Sequence, residues 1–162
     1  MLREPASLCP GSLRKATDGR GRLAVSQILT LENIRNYAIA LAIFLAIDMV
    51  WLNVIAKSLY ARHLGYLMTS RVNIAAAFIF YMLFILGIVV FVVNPALMAQ
   101  SWQMALGLGV LFGLVCYATY DLTNLATVRD WPAVITIIDL VWGMFVSGIT
   151  SLLSYVAIRL LG

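Results

Sequence analysis

The chain has 162 residues, 63% of them hydrophobic and 11% charged, with a formal net charge of +4. A soluble globular domain carries roughly 25% charged residues, so this composition excludes a soluble fold and predicts an integral membrane protein. With so little chain outside the apolar segments there is no room for a soluble catalytic domain, and any chemistry belongs to the bundle and its short loops.

Residues 1–33 are rich in Gly, Ser, Arg and Pro without an apolar period, and read as a disordered basic tail. No apolar run of about 7–15 residues follows the first arginines, so the tail is not a signal peptide. Its Arg-rich, acid-poor character leaves a mitochondrial transit peptide as a competing reading. A natural start near Leu31, with the tail an upstream extension, is another. Arg3, Arg14, Lys15, Arg20 and Arg22 suit anionic lipid headgroups rather than nucleic acid.

Residues 34–162 form a transmembrane domain, an all-α four-helix bundle. Spans are expected at about 36–56, 74–93, 104–126 and 133–158, each long enough to cross roughly 30 Å of hydrocarbon at about 1.5 Å per residue. Four spans put both termini on one side, with seven Lys and Arg there and four on the other, which favours cytoplasmic termini. Without the first 31 residues the count is two against four and the answer reverses. Orientation is therefore left open.

In chain order, span two is expected to end at Asn94-Pro95, because Pro cannot continue a helix with intact hydrogen bonding. Trp102 opens span three as an interfacial anchor, and Trp131 fits the same belt. Gly109 and Gly113 form a small-residue stripe, and Gly143, Ser147 and Ser151 form another on span four. Both are packing devices. Gly107, Gly109 and Gly113 do not make a dinucleotide loop, since Phe112 stands where the third glycine belongs and no strand precedes them.

Against this background three carboxylates stand out: Asp48, Asp121 and Asp139. Two recur in one motif, Asp48-Met-Val-Trp51 and Asp139-Leu-Val-Trp142, and the third reads Tyr120-Asp121-Leu-Thr-Asn124. An aspartate at mid-membrane costs about 2.5–3.5 kcal/mol on insertion scales, so each marks a functional site by default. As interhelical glue they would contribute little, since such hydrogen bonds average about 0.6 kcal/mol.

Topology brings them together. Spans one and three end, and span four begins, on the side of loops 57–73 and 127–132, which places all three aspartates in one half of the bilayer. The short turn at Asp130-Trp131-Pro132 makes spans three and four antiparallel neighbours. Helical spacing gives the faces Phe44, Asp48, Trp51 and Ile55 on span one, Tyr117, Asp121 and Asn124 on span three, and Thr136, Asp139, Trp142 and Gly143 on span four. Lipid cannot solvate such faces, so they turn inward around a polar pocket. Lys57, Tyr60, Arg62, His63, Tyr66, Arg71 and Arg129 are expected around its mouth.

Three carboxylates in one bundle resist joint ionisation, because desolvation and like charge both disfavour the charged form. Either a proton is shared, a cation enters, or a basic side chain folds in from the loops. His63 has no second His or Cys spaced to build a zinc site, and the two cysteines, Cys9 and Cys116, suggest neither a disulfide framework nor a thiolate metal site. No resident metal or cofactor is expected. G-x-S-x-G, H-E-x-x-H and P-loop motifs are all absent, which argues against nucleophilic hydrolysis while leaving aspartate acid–base chemistry open.

The run Thr119-Tyr-Asp-Leu-Thr-Asn-Leu-Ala-Thr127, followed by Trp131-Pro132 and Asp139-Leu-Val-Trp-Gly143, together with Asp48-x-x-Trp51 and Tyr60-x-Arg-His-Leu-Gly65, resembles a bacterial membrane family catalogued as domain of unknown function 2177. The resemblance covers about residues 34–161. It implies a four-helix protein of the bacterial inner membrane with no settled activity and supplies no catalytic residues. Family members resemble one another in starting close to the first span, so the tail departs from the pattern.

The expected function is an intramembrane aspartate pocket that binds, and moves across the bilayer, a small polar or cationic solute or a proton. Asp121 and Asp139 would be the paired carboxylates. Asp48 completes the site, with Tyr117, Asn124 and Thr136 supplying hydrogen bonds. Four spans are few for a transport path, which points to a homodimer in the lipid bilayer, with the glycine stripe of span three as a contact. Alternatives from other classes are a membrane-embedded enzyme or accessory subunit acting on lipid, and a structural partner of a larger complex.

Overall fold

The computed structural model describes residues 31–67 and 73–161, all helix, turn or short connection. Residues 1–30, to which most of the expected tail belongs, and Arg71 at the expected pocket mouth lie outside the described residues. The chain divides into two compact units, residues 1–35 and 36–162; of the first, the described part is the opening turn of a helix, and the second holds the bundle.

Four helical segments are long and apolar enough to cross a membrane: Leu31–Leu64, Ile74–Met98, Trp102–Thr127 and Ala133–Leu161, containing 18-residue stretches of mean hydropathy 2.3, 2.9, 1.6 and 1.9. Backbone groups in hydrocarbon must find partners within their own segment, and a helix does that. The protein is therefore an all-α, multi-pass membrane bundle, with no strand among the described residues. The first span comprises α1 (Leu31–Trp51), a π-helical turn (Leu52–Ala56) and α2 (Lys57–Leu64). The second comprises α3 (Ile74–Ile88), a π-helical turn (Val89–Val93) and α4 (Asn94–Met98). Helices α5 (Trp102–Thr127) and α6 (Ala133–Leu161) are the third and fourth spans.

The spans run longer than composition suggested. Leu31, Glu32 and Asn33 are helical rather than part of the tail, and span one continues through Lys57, Arg62 and His63 to Leu64. Span two does not stop at Asn94-Pro95. Pro95 falls in the first turn of α4, directly after the widened turn at Val89–Val93, where its missing N–H costs the ladder little.

Polar residues mark the helix ends. Asn73 caps α3 by accepting from the Ala76 amide at 3.1 Å, and Ser101 caps α5 by accepting from the Met104 amide at 3.1 Å. The two tight connections turn through left-handed residues, Gln100 (φ 50°) between α4 and α5 and Asp130 (φ 59°) between α5 and α6.

Spans three and four form the tightest seam, built on the two small-residue stripes. A Cβ on Gly113 would collide with the Gly143 carbonyl, and one on Gly109 would sit 2.8 Å from both the Ser147 carbonyl and the Ser151 hydroxyl. Gly109 and Gly113 of the stripe expected to serve a homodimer thus pack inside the chain; among the described glycines Gly107 alone leaves open space for a Cβ. Spans one and two complete the bundle through larger side chains, with Phe44, Phe84, Ile85, Ile88 and Val146 at the centre of the core. Small residues draw α5 and α6 together while aromatics hold spans one and two away, and a cavity opens where they diverge.

Candidate functional site

Asp48, Asp121 and Asp139 are 5%, 1% and 7% exposed, and all three line one cavity of about 590 Å³. Phe44, Asp48 and Trp51 reach it from span one. Tyr117 and Asp121 come from span three, and Asp139 and Trp142 from span four.

The three carboxylates are held differently. Tyr81 donates its hydroxyl to Asp48 Oδ2 at 2.7 Å, and Tyr60 donates to Asp139 Oδ1 at 2.6 Å. Both partners are phenols, not cations. Asp121 has no such support: its Oδ1 is buried without a hydrogen-bond partner, and Asp139 is its electrostatic neighbour. Tyr117 lies within electrostatic reach of all three carboxylates and of Tyr81. Its ring packs directly on Gly143, where any Cβ would collide with it, so the glycine at the end of the Asp139-Leu-Val-Trp-Gly143 run makes room for this tyrosine.

The repeated Asp-x-x-Trp motifs meet. Trp51 and Trp142 stack with ring centroids 4.2 Å apart and planes inclined by 8°. Spans one and four run antiparallel, so each tryptophan, one turn beyond its own aspartate, comes level with the other motif. Trp142 lies beside Asp48, its Nε1 buried but outside hydrogen-bond geometry, while Trp51 interacts with Tyr60, the donor to Asp139.

Several expected residues sit elsewhere. Tyr60 belongs to the cavity wall, not its mouth. Lys57, Arg62 and Arg129 are exposed, and His63 is half-buried with Nδ1 3.0 Å from the Leu59 carbonyl; none of the four lines the cavity. Asn124 is half-buried off the wall, and Thr136 is buried but accepts from Trp131 Nε1 at 3.1 Å instead of facing the carboxylates. Tyr66 donates to the Asp130 carbonyl at 2.7 Å, which ties the end of span one to the turn between spans three and four. Ile55 is 47% exposed and Ala56 is buried in its place. The π-helical turn at Leu52–Ala56 is the reason: one extra residue in a turn rotates everything after it, carrying the inward face from Asp48 to Ala56 and Tyr60.

Sequence reasoning assigned no cavity residue to span two. Tyr81, Phe80 and Phe84 line the cavity from α3, and Tyr120 and Trp131 close it from the loop side. Trp131 is half-buried there. Tyr81 carried a usable signal: one hydroxyl in the apolar run Ile74–Ile88, seven residues from the loop end and so roughly 10 Å deep, near the depth of the aspartates.

No Lys, Arg or His among the described residues lines the cavity, so no basic side chain neutralises the carboxylates from its wall. Nor do any three His, Cys, Asp or Glu among those residues converge to hold a metal ion. The cavity can take up positive charge over a wall of aromatic rings, or exchange protons at Asp121.

Comparison with curated proteins and with solved structures returns no match. A family model described as "Predicted membrane protein (DUF2177)" matches residues 33–156, which include every span boundary on the loop side, both Asp-x-x-Trp motifs and Asp121. The match covers more than half of the chain, and the protein belongs to this family of predicted membrane proteins.

Proposed function

We propose that the aspartate cavity binds a small cationic solute and passes it across a bacterial inner membrane. The observation that carries this reading is Asp121: a carboxylate 1% exposed, one oxygen without a partner, beside a second carboxylate and a cavity whose described wall holds no cation. Such a group is costly in hydrocarbon unless a proton or a bound cation neutralises it. Asp121 and Asp139 act as the paired carboxylates and Asp48 completes the site. Tyr60 and Tyr81 take the hydrogen-bonding part expected of Asn124 and Thr136, beside Tyr117, which the sequence already pointed to.

The test is counterflow in proteoliposomes of the purified full chain, with Asp121→Asn and Asp139→Asn as variants. The reading expects cation uptake by the parent chain and its loss in both variants with folding retained. Uptake that survives both substitutions would sink it.

A second reading, acid–base chemistry on a bilayer-soluble substrate, is favoured by one feature. Leu52, Phe80 and Tyr120 line the cavity and are also 36%, 48% and 62% exposed on the outside of the bundle, so the cavity adjoins the lipid-facing surface. That reading expects an altered lipid profile on gene deletion and no uptake.

A further inference from the structure

The geometry points to an amphipathic organic cation as the ligand: one positive centre held at Asp121, and an apolar or aromatic body laid against the rings of the cavity and reached from the bilayer. This rests on the cation-binding reading above and names the chemistry of the same site.

Four observations lead there. First, the carboxylates are not equivalent. Asp48 and Asp139 are each occupied by a tyrosine hydroxyl, whereas Asp121 keeps a buried oxygen with no partner. One free acceptor suits one cationic centre. Second, the three carboxylates are distributed around the cavity and do not converge as ligands of a metal ion. A small hard cation needs about six oxygens close around it, and this site offers no such shell.

Third, the wall is mainly aromatic. Trp51, Trp142, Phe44, Phe84, Tyr81 and Tyr117 surround the carboxylates. Ring faces attract organic cations, more strongly when the site is desolvated, and they also pack apolar groups. The cavity of about 590 Å³ falls within the range that holds drug-sized molecules and exceeds what a bare ion or a proton uses. Fourth, Phe80 and Tyr120 belong both to the cavity wall and to the exposed apolar surface, so at these positions a single side chain stands between the cavity and the surface that a molecule dissolved in the bilayer would meet. A fully hydrated solute would gain nothing from that proximity.

The experiment uses the full chain in nanodiscs with three probes: tetraphenylphosphonium, its anionic isostere tetraphenylborate, and tetramethylammonium, each corrected for binding to empty discs. Three of the four tryptophans, Trp51, Trp131 and Trp142, line the cavity, so intrinsic fluorescence reports occupancy. The expected result is saturable quenching by tetraphenylphosphonium, none by tetraphenylborate, and affinity for tetraphenylphosphonium reduced about tenfold or more in Asp121→Asn, as loss of an ion pair in a desolvated site requires. Equal binding of the anion, or undiminished cation binding by Asp121→Asn, overturns the proposal. So does tetramethylammonium binding without tetraphenylphosphonium binding, an outcome that leaves the broader cation reading standing. If neither cation binds, both fall. The comparison of charge isosteres on the parent chain stands even if the variant does not fold.

Discussion

Trp51 and Trp142 stack face to face, 4.2 Å between centroids, and so join the two Asp-x-x-Trp motifs across antiparallel spans. The pairing explains why the motif occurs twice. Each tryptophan reaches the neighbourhood of the other motif's aspartate, Trp142 directly and Trp51 through Tyr60. The small residues of span four seam it to span three, and the stacked indoles join it to span one. Trp51→Leu and Trp142→Leu should each destabilise the bundle. A double-mutant cycle should give a coupling of about 0.5–1.5 kcal/mol, the increment of an aromatic pair beyond its buried area. Unfolding by denaturing detergent measures it, and additive single effects would show that the stack contributes no coupling.

Asp121 predicts a stability gain that accompanies a functional loss. Asp48 and Asp139 each have a phenol as partner, and Asp121 Oδ1 has none, so the burial of that oxygen is uncompensated. Asp121→Asn should leave the bundle as stable as the parent or more so, by up to about 2.5–3.5 kcal/mol if the carboxylate is charged. Asp48→Asn and Asp139→Asn should not gain, because each also weakens a bond from a tyrosine. Thermal unfolding of the three variants in one detergent checks the order. A loss of stability in Asp121→Asn would mean that the carboxylate is structural.

The seam between spans three and four gives a graded test. Gly113→Ala meets the Gly143 carbonyl and Gly143→Ala meets the Tyr117 ring, whereas Gly107 has nothing within 4 Å. Overpacking of this kind costs about 1–3 kcal/mol, and an open surface site stays within about ±0.5 kcal/mol. Gly107→Ala should therefore cost nothing and, as a helix-interior Gly→Ala change, add up to about 1 kcal/mol of stability. Gly143→Ala should carry a second consequence, because the displaced ring is the one within reach of all three carboxylates. Reduced ligand affinity beyond the stability loss, measured by the fluorescence assay, is the expected sign.

Much of this arrangement was legible from depth and spacing alone. Counting residues from the loop side placed Asp48, Asp121 and Asp139 at similar depth, and hydrocarbon forbids their facing outward, so the shared cavity was within reach of the sequence. The residues around it were less so, for two physical reasons. Span two is apolar throughout and has no polar face to orient it, which hid Tyr81. Leu52-Asn53-Val54-Ile55-Ala56 contains no Pro or Gly to announce a widened turn, so regular helical spacing puts Ile55 on the inward face, and a span that ends near residue 56 puts Tyr60 in the loop at the mouth. Lys57, Arg62 and Arg129 were placed at the mouth because basic residues collect at loop ends, but chain position fixes depth without fixing direction.

That widened turn supplies the last prediction. A π-helical turn holds one residue more than an α-helical turn, so deleting one residue from Leu52–Ala56 should restore α-helical geometry while Ala56 and Tyr60 keep their inward direction. Each residue advances a helix by about 100°, so deleting one residue of α2 ahead of Tyr60 should instead turn Tyr60 away from Asp139 by roughly that angle. Val54, 70% exposed and outside the cavity wall, is the deletion that costs least packing within the turn, and the exposed Ser58 is its counterpart in α2. With Tyr60→Cys as reporter, a membrane-impermeant maleimide should label the Ser58 deletion faster than the full-length chain and the Val54 deletion no faster. Weakened cation binding should accompany the faster labelling, because Asp139 then lacks its phenol and the wall lacks a ring. Faster labelling of the Val54 deletion, or unchanged labelling of the Ser58 deletion, would mean that the turn does not set the direction of Tyr60, and the link between the turn at Leu52–Ala56 and the geometry of Asp139 would be lost.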